Sequence, residues 1–326
     1  MHPAFSVIFL TTLIGVGQGL FLALVTGQVY SLANLLQPQD SVRFYAVGSF
    51  LSLLFLVAGL IASVFHLGRP ERAWRAASQW RTSWLSREVI VLPLFMLLVF
   101  LYGVFHFFEM TQPLFVVKGQ IPVDTTLVLG VLGALAAFAL FGCTAMIYAS
   151  IKFIEEWHSA YTLINFVLLG LASGFTLAAA FSAWLGIDLV AFFGAWAVIF
   201  TLAAAVSRLL SLRRNARLVH KSTLQTAIGI RHNRIEQKSQ GFMGGNFNTH
   251  EFFHGATPAR VKFTKWFFLL MVFVFPPLLL GAAWLIHSPG LPLAAFLVQY
   301  LGLLAERWYF FVEAKHPQNL YYQAVA

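Results

Sequence analysis

Eight apolar stretches, separated by short polar links and one long one, organise this chain. They run over about 6–36, 41–66, 87–109, 124–151, 159–184, 187–208, 264–286 and 290–312. Each reaches the roughly 20 residues that an α-helix needs to cross a bilayer. The pattern predicts an all-α polytopic membrane protein, a bundle of eight transmembrane helices forming a single integral membrane domain over 1–326. The first run has no basic segment ahead of it, exceeds the usual signal core of about 7–15 residues and is followed at once by another span. It therefore reads as a retained first helix. Gly15, Gly17 and Gly19 in the first run, and Gly130, Gly133, Ala134, Ala136 and Ala137 in the fourth, predict close helix packing. Pro276 and Pro277 predict a kink in the seventh, because proline lacks the backbone donor and crowds the preceding turn.

Composition agrees with the pattern. Hydrophobic residues make up 59% of the chain and charged ones 10%, against about 45–50% and 25% in soluble domains. The mean hydropathy is +0.78. The only sizeable polar region, 209–263, is too short and too poor in periodic apolar residues for a core of its own, and is expected to be a long cytoplasmic loop between helices 6 and 7. With eight spans, both termini and the 2–3, 4–5 and 6–7 loops share one side. That side holds nearly all the lysines and arginines, against Arg43 and Lys118 opposite. The positive-inside rule then places both termini in the cytoplasm. The net charge of +9 follows from this topology, and nucleic acid need not be invoked.

Cys143 is the only cysteine, so the chain cannot by itself hold an iron–sulfur cluster or a Cys-rich zinc site. It has no phosphate-binding glycine loop, no HExxH and no Gly-x-Ser-x-Gly elbow. A hydrolase or ATPase site and a bound metal are not expected. A haem held by two histidines would need them at matching depth, where only His106 and His287 qualify. Interfacial imidazoles account for both better, so no haem is expected.

His66 and Glu88 differ from these. One ends the second run, the other opens the third, and the charged, Trp-rich connection between them lies on the same membrane face. Arg69, Arg72 and Arg87 stand near enough to hold the carboxylate ionised. A quinone head group asks for such a pair, a hydrogen-bonding partner and a proton exchanger working near neutrality. A salt-bridged interfacial cap accounts for the pair equally well from spacing alone. Gln79, Trp74, Trp80 and Trp84 are candidates to line the same place, although tryptophan at this depth commonly belongs to the aromatic belt.

The run His66-Leu67-Gly68-Arg69-Pro70, then Arg72-Ala73 and Leu85-Ser86-Arg87-Glu88, resembles the anchor subunit family of dimethyl sulfoxide reductase. The resemblance implies an eight-helix protein of the bacterial inner membrane that holds a molybdopterin catalytic subunit and a ferredoxin-like iron–sulfur subunit, with both metal cofactors confined to those partners. It associates His66 and Glu88 with the quinone, ubiquinone or menaquinone. Arg307 with Tyr309 and Phe310 is a looser match to the family's Arg followed by Phe-Tyr, with different spacing. The long 6–7 loop, from Gln240 to Gly255, is similar to that of membrane subunits of quinone-linked sulfite dehydrogenases. Phe242, Phe247, Phe252, Phe253 and His254 in it are expected to form a partner-docking surface; a solvated linker is the alternative.

These likenesses imply an anchor and quinone-binding subunit that passes electrons between the iron–sulfur partner and the quinone pool during sulfite oxidation. The molybdenum site lies elsewhere. A quinol-oxidising anchor of a sulfoxide or polysulfide reductase is the alternative in the same class. A transporter or proton pump is the alternative outside it, and such proteins place ionisable groups near the bilayer midplane. The helix centres here offer mainly Gln18, Gln28, Asn165 and Gln299, with Glu306 and Arg307 toward the cytoplasmic end of the last helix. That is thin equipment for a proton path.

Overall fold

A computed structural model describes residues 1–117, 121–236, 252–317 and 319. Among them, seven helices are long and apolar enough to cross a membrane. They are α1 (Phe5–Leu32), α2 (Val47–Val64, entered through a π turn over Ser41–Ala46), α3 (Trp84–Phe107), α4 (Thr125–Ala149), α5 (Ala160–Leu185), α6 (Val190–Asn215) and a seventh span broken into two pieces. The short α7 (Leu224–Ile228) lies in the long loop, and the broken span follows as α8 (Pro258–Phe273) and α9 (Phe275–Ile286). The eighth predicted run is present as α10 (Gly290–Glu313), packed against α5, α8 and α9. It carries two adjacent buried charges, Glu306 and Arg307, within its last turns.

Side-chain caps set several of the helix starts. Ser83 accepts from Ser86 N at the head of α3, and Asp124 accepts from Leu127 N at 2.7 Å at the head of α4. Ser159 and Thr257 do the same for α5 and α8, with Pro258 in the first-turn position where its missing donor costs nothing. The predicted kink falls at Val274, just ahead of Pro276 and Pro277, which cannot donate to the turn before them.

Helix α1 is the hub, buried along most of its length and packed on α2, α4 and α5. Its crossing with α5 depends on glycine. A Cβ added at Gly19 would stand 2.1 Å from Gly170 O, and one at Gly174 would stand 2.1 Å from the Gly19 carbonyl carbon. The backbones touch there, so any side chain would force them apart. Gly133 fits against Phe21 in the same manner.

Two boundaries differ from expectation. Helix α6 continues past residue 208 to Asn215 and α8 begins at Pro258, so the connecting segment is shorter than 209–263. Arg208, at the end of the predicted span, is buried against Glu306 and Glu313, and the helix runs on about two turns beyond it. Arg213 and Arg214 then occupy the last turn, where the helix dipole favours cations. The link between α3 and α4 also forms a small antiparallel hairpin, Pro113–Val117 (β1) with Ile121–Asp124 (β2), whose β-branched residues suit a strand.

Candidate functional site

The sequence places His66, Arg69, Arg72, Trp74, Gln79, Arg87, Glu88 and Arg307 together. The structure divides them. After α2 the chain turns through His66 to Arg69 and enters a 3₁₀ segment, Pro70–Gln79, that buries none of its residues. His66, Arg69, Arg72, Trp74 and Gln79 are all exposed on it. Arg75 lies over Trp74, Arg81 over Trp80 and Arg87 over Trp84, the last at 4.2 Å. Arg87 also donates to Trp80 O at 2.9 Å and Arg81 O at 2.8 Å, fastening this segment to the start of α3. The His66 ring makes no hydrogen bond or ion pair among the described residues, and neighbouring groups cover it enough to lower its pKa from 6.5.

Glu88 faces the other way. It is buried at 7% exposure and accepts a 2.5 Å hydrogen bond from Thr144 Oγ1 of α4. No arginine stands within ion-pair distance of it among the described residues; Arg72 pairs with exposed Glu71, and Arg87 is engaged with the loop. The expectation that Arg69, Arg72 and Arg87 surround the carboxylate is therefore corrected. Arginine side chains at an interface reach outward to water and to aromatic faces, while a helix turns successive residues by about 100°.

Glu88 instead lines an internal cavity of about 20 Å³ with Thr11, Thr12, Gln18, Ser173 and Arg307. Arg307 thus joins Glu88, whereas His66 is not part of this cavity. The space suits a water molecule, which needs about 10–15 Å³ and several polar partners. It does not suit a quinone ring, since ligand pockets run to about 300–1,000 Å³.

Arg307 is held by its neighbours on α10 and α5. Its guanidinium carbon lies 3.8 Å from the centre of the Phe166 ring, and its Nε lies 3.4 Å from Glu306 Oε2. The second oxygen of Glu306 lies 2.8 Å from Arg208 Nε, and Arg208 Nη1 lies 3.6 Å from Glu313. Two arginines and two carboxylates therefore balance one another inside the bundle, as burial of charge requires. Sequence reasoning missed Arg208, Thr144 and Glu306 as members of a site. The signal that could have found them was an adjacent Glu-Arg pair in an apolar helix, which demands partners from other helices.

Of the expected docking residues, Phe242 and Phe247 lie outside the described residues. Phe252, Phe253 and His254 are half-buried. Phe252 stacks on His316 at 4.2 Å and accepts from Asn319 Nδ2 through its carbonyl. His220, Lys221, His254, Lys315 and His316 line a groove of about 430 Å³ on this face. Burial lowers the pKa values of His254 and His316, with the N-terminal ammonium adding to it.

The two histidines of comparable depth have separate surroundings. His106 is buried, with its Nδ1 at 2.7 Å from Ser41 Oγ and its ring stacked on Tyr45. His287 is exposed at the end of α9 in a left-handed conformation, φ 52°.

Known proteins share this arrangement of sequence. The chain is 63% identical over 326 residues, the full length of both proteins, to a subunit of the sulfite dehydrogenase of Allochromatium vinosum. It is 32% identical over 133 residues, 41% of this chain and 43% of the other, to anaerobic dimethyl sulfoxide reductase chain YnfH of Escherichia coli. The DMSO reductase anchor subunit (DmsC) family matches over residues 1–233, a stretch that holds the α2–α3 connection, Glu88 and Thr144, and the chain belongs to that family of membrane anchors.

Proposed function

We propose that this membrane anchor binds a quinone on its loop side and passes to it the electrons of sulfite oxidation, received from an iron–sulfur partner that also bears the molybdopterin subunit. The observation behind this reading is the full-length likeness to part of a sulfite dehydrogenase. The shorter likeness to a dimethyl sulfoxide reductase chain, under half of either protein, supports the quinol-oxidising alternative less well. On the positive-inside rule the loop side, with the 2–3, 4–5 and 6–7 connections and both termini, is cytoplasmic, in the inner membrane of a bacterium.

The quinone is a substrate here, accepting two electrons and two protons to become quinol. Its ring cannot enter the 20 Å³ cavity beside Glu88. The open face of the α2–α3 connection, with His66, Trp74 and Trp80, has the aromatic surfaces and the hydrogen-bonding imidazole to hold it. Glu88, about one turn into α3 and backed by Thr144, serves as the inner proton donor. Arg87 keeps the two faces in register through Trp80 and Arg81.

The test is made on the complex purified in mild detergent. Sulfite-dependent quinone reduction is compared with sulfite oxidation by an artificial acceptor, in wild type and in His66→Ala. The expected result is loss of the first with the second intact. Loss of both in His66→Ala, or a wild-type complex that oxidises sulfite without reducing quinone, overturns the reading.

A further inference from the structure

Arg307 and Phe166 line two cavities at once. One is the space beside Glu88, and the other, of about 10 Å³, is bounded by Glu156, Asn165, Arg208, Asn215, Glu306 and Glu313. We propose that the two form a single one-sided proton route from the loop-side surface to Glu88, entered at His220 and Glu156. The proposal rests on the quinone-reducing function above and supplies what that function lacks, a source for its protons.

The entry is visible in the geometry. His220 lines the surface groove and sets its Nε2 3.5 Å from Glu156 Oε1 and its Nδ1 3.7 Å from Glu155 Oε2. A partly exposed imidazole between two carboxylates exchanges protons with water on one side and hands them to a carboxylate on the other. Glu156 is itself buried at 6% exposure and lines the second cavity. Its other oxygen, Oε2, and Asn165 Oδ1 have no hydrogen-bond partner among the described residues. Buried acceptors left unpaired by protein are where ordered water belongs, and each cavity has room for about one molecule.

Glu306 is the next carrier. It is 1% exposed and lies between Arg208 and Arg307, lining the second cavity while Arg307, paired with it, reaches the first. Arginine does not release its proton, so Arg208 and Arg307 position water and carboxylates, and the protons travel on carboxylates, hydroxyls and water. Thr11, Thr12, Ser173 and Thr144 supply hydroxyls around the last cavity before Glu88. Each turnover moves two electrons from the partner's iron–sulfur cluster and two protons through Glu88 onto one quinone; sulfite is the reductant and the quinone the oxidant.

The route stops at Glu88. Beyond it Phe21, Phe95, Leu140 and Val99 are fully buried, and the buried hydroxyls of Ser49, Ser52, Thr176 and Ser182 are each spent on a backbone carbonyl. The next buried polar group along α1, Gln28, bonds to Tyr102 and Thr126 and belongs to a separate network toward the opposite face, ending on Asp124. Protons therefore arrive from the side that delivers the electrons.

The intact complex carrying Glu306→Gln or Asn165→Leu tests the route. Asn165→Leu fills the second cavity with an apolar side chain while leaving the Arg208, Glu306 and Arg307 contacts in place, so it decides the matter if Glu306→Gln fails to assemble. Quinone reduction should fall about tenfold or more, with the solvent deuterium isotope effect on that step rising and sulfite oxidation by an artificial acceptor unchanged. Wild-type quinone rates in Asn165→Leu, or a slowed rate with an unaltered isotope effect, overturns the route. Failure of the wild-type complex to reduce quinone overturns the function on which the route rests, a result distinct from either.

Discussion

Arg307 stacks on Phe166, with 3.8 Å between the guanidinium carbon and the ring centre, at the wall shared by two buried cavities. A helix that reads as one more apolar span thus brings a fixed cation into the bundle, where Glu306 neutralises it and α5 gives it an aromatic face. The arrangement joins α10 to α5 and, through Arg208, to α6.

Removing one member of this cluster should destabilise the bundle more than removing an exposed charge. Arg208→Met leaves Glu306 with Arg307 alone and takes the partner from Glu313, and breaking a buried pair costs about 3–5 kcal/mol. The exposed Glu71 and Arg72 pair serves as the control, with an expected effect of about 0–1 kcal/mol. Thermal unfolding of the detergent-solubilised protein measures the difference.

The α1–α5 crossing should tolerate nothing larger than glycine. Gly19→Val and Gly174→Val each place a side chain hard against backbone, so neither should yield a monodisperse protein on size-exclusion chromatography. Gly142→Ala, where an added Cβ meets nothing within 4 Å, should behave as wild type.

Thr144→Val removes the hydroxyl that donates to Glu88 and leaves a buried carboxylate oxygen unpaired. The expected loss of stability is about 1–3 kcal/mol. Thr144→Ser keeps the donor and should restore both stability and quinone turnover; equal behaviour of the two variants would remove this hydrogen bond from the account.

His66 has a pKa below 6.5 because burial disfavours its cation. The folded loop prefers neutral imidazole, so nothing is lost well above pH 6.5, and the penalty grows as pH falls from 6.5 toward the lowered value and levels off below it. Quinone reduction should therefore decline on the acid side with an apparent pKa under 6.5, and this limb should vanish in His66→Asn. NMR of ring-labelled histidine gives the pKa independently.

The exposed 3₁₀ segment should be replaceable without harm to the fold. Trp74→Ser changes a residue that is 71% exposed, so its effect on thermal stability should stay within about 0.5 kcal/mol. Quinone affinity should weaken, seen as a raised KM with sulfite oxidation by the artificial acceptor unchanged.

Much of the architecture was legible because the bilayer imposes it. Length and apolarity locate the spans, since backbone donors and acceptors in lipid must be satisfied within a helix, and the small residues of α1 and the prolines of the seventh span announced their packing and their kink. Glu88 and Arg307 were legible as residues that an apolar environment does not accept without partners. Their place on one cavity was not legible, because which residues of α3 and α10 line a common space depends on how helices far apart in sequence rotate and cross, and sequence distance carries no record of that. The same reason hid Arg208, which reads as the basic end of the sixth apolar run until Glu306 and Glu313 are brought beside it. His66 and Glu88 looked like one site because both flank one connection. Only the tertiary structure decided that the histidine lies on the surface and the glutamate inside, because helix rotation, which composition does not set, determines which residues face water and which face the bundle.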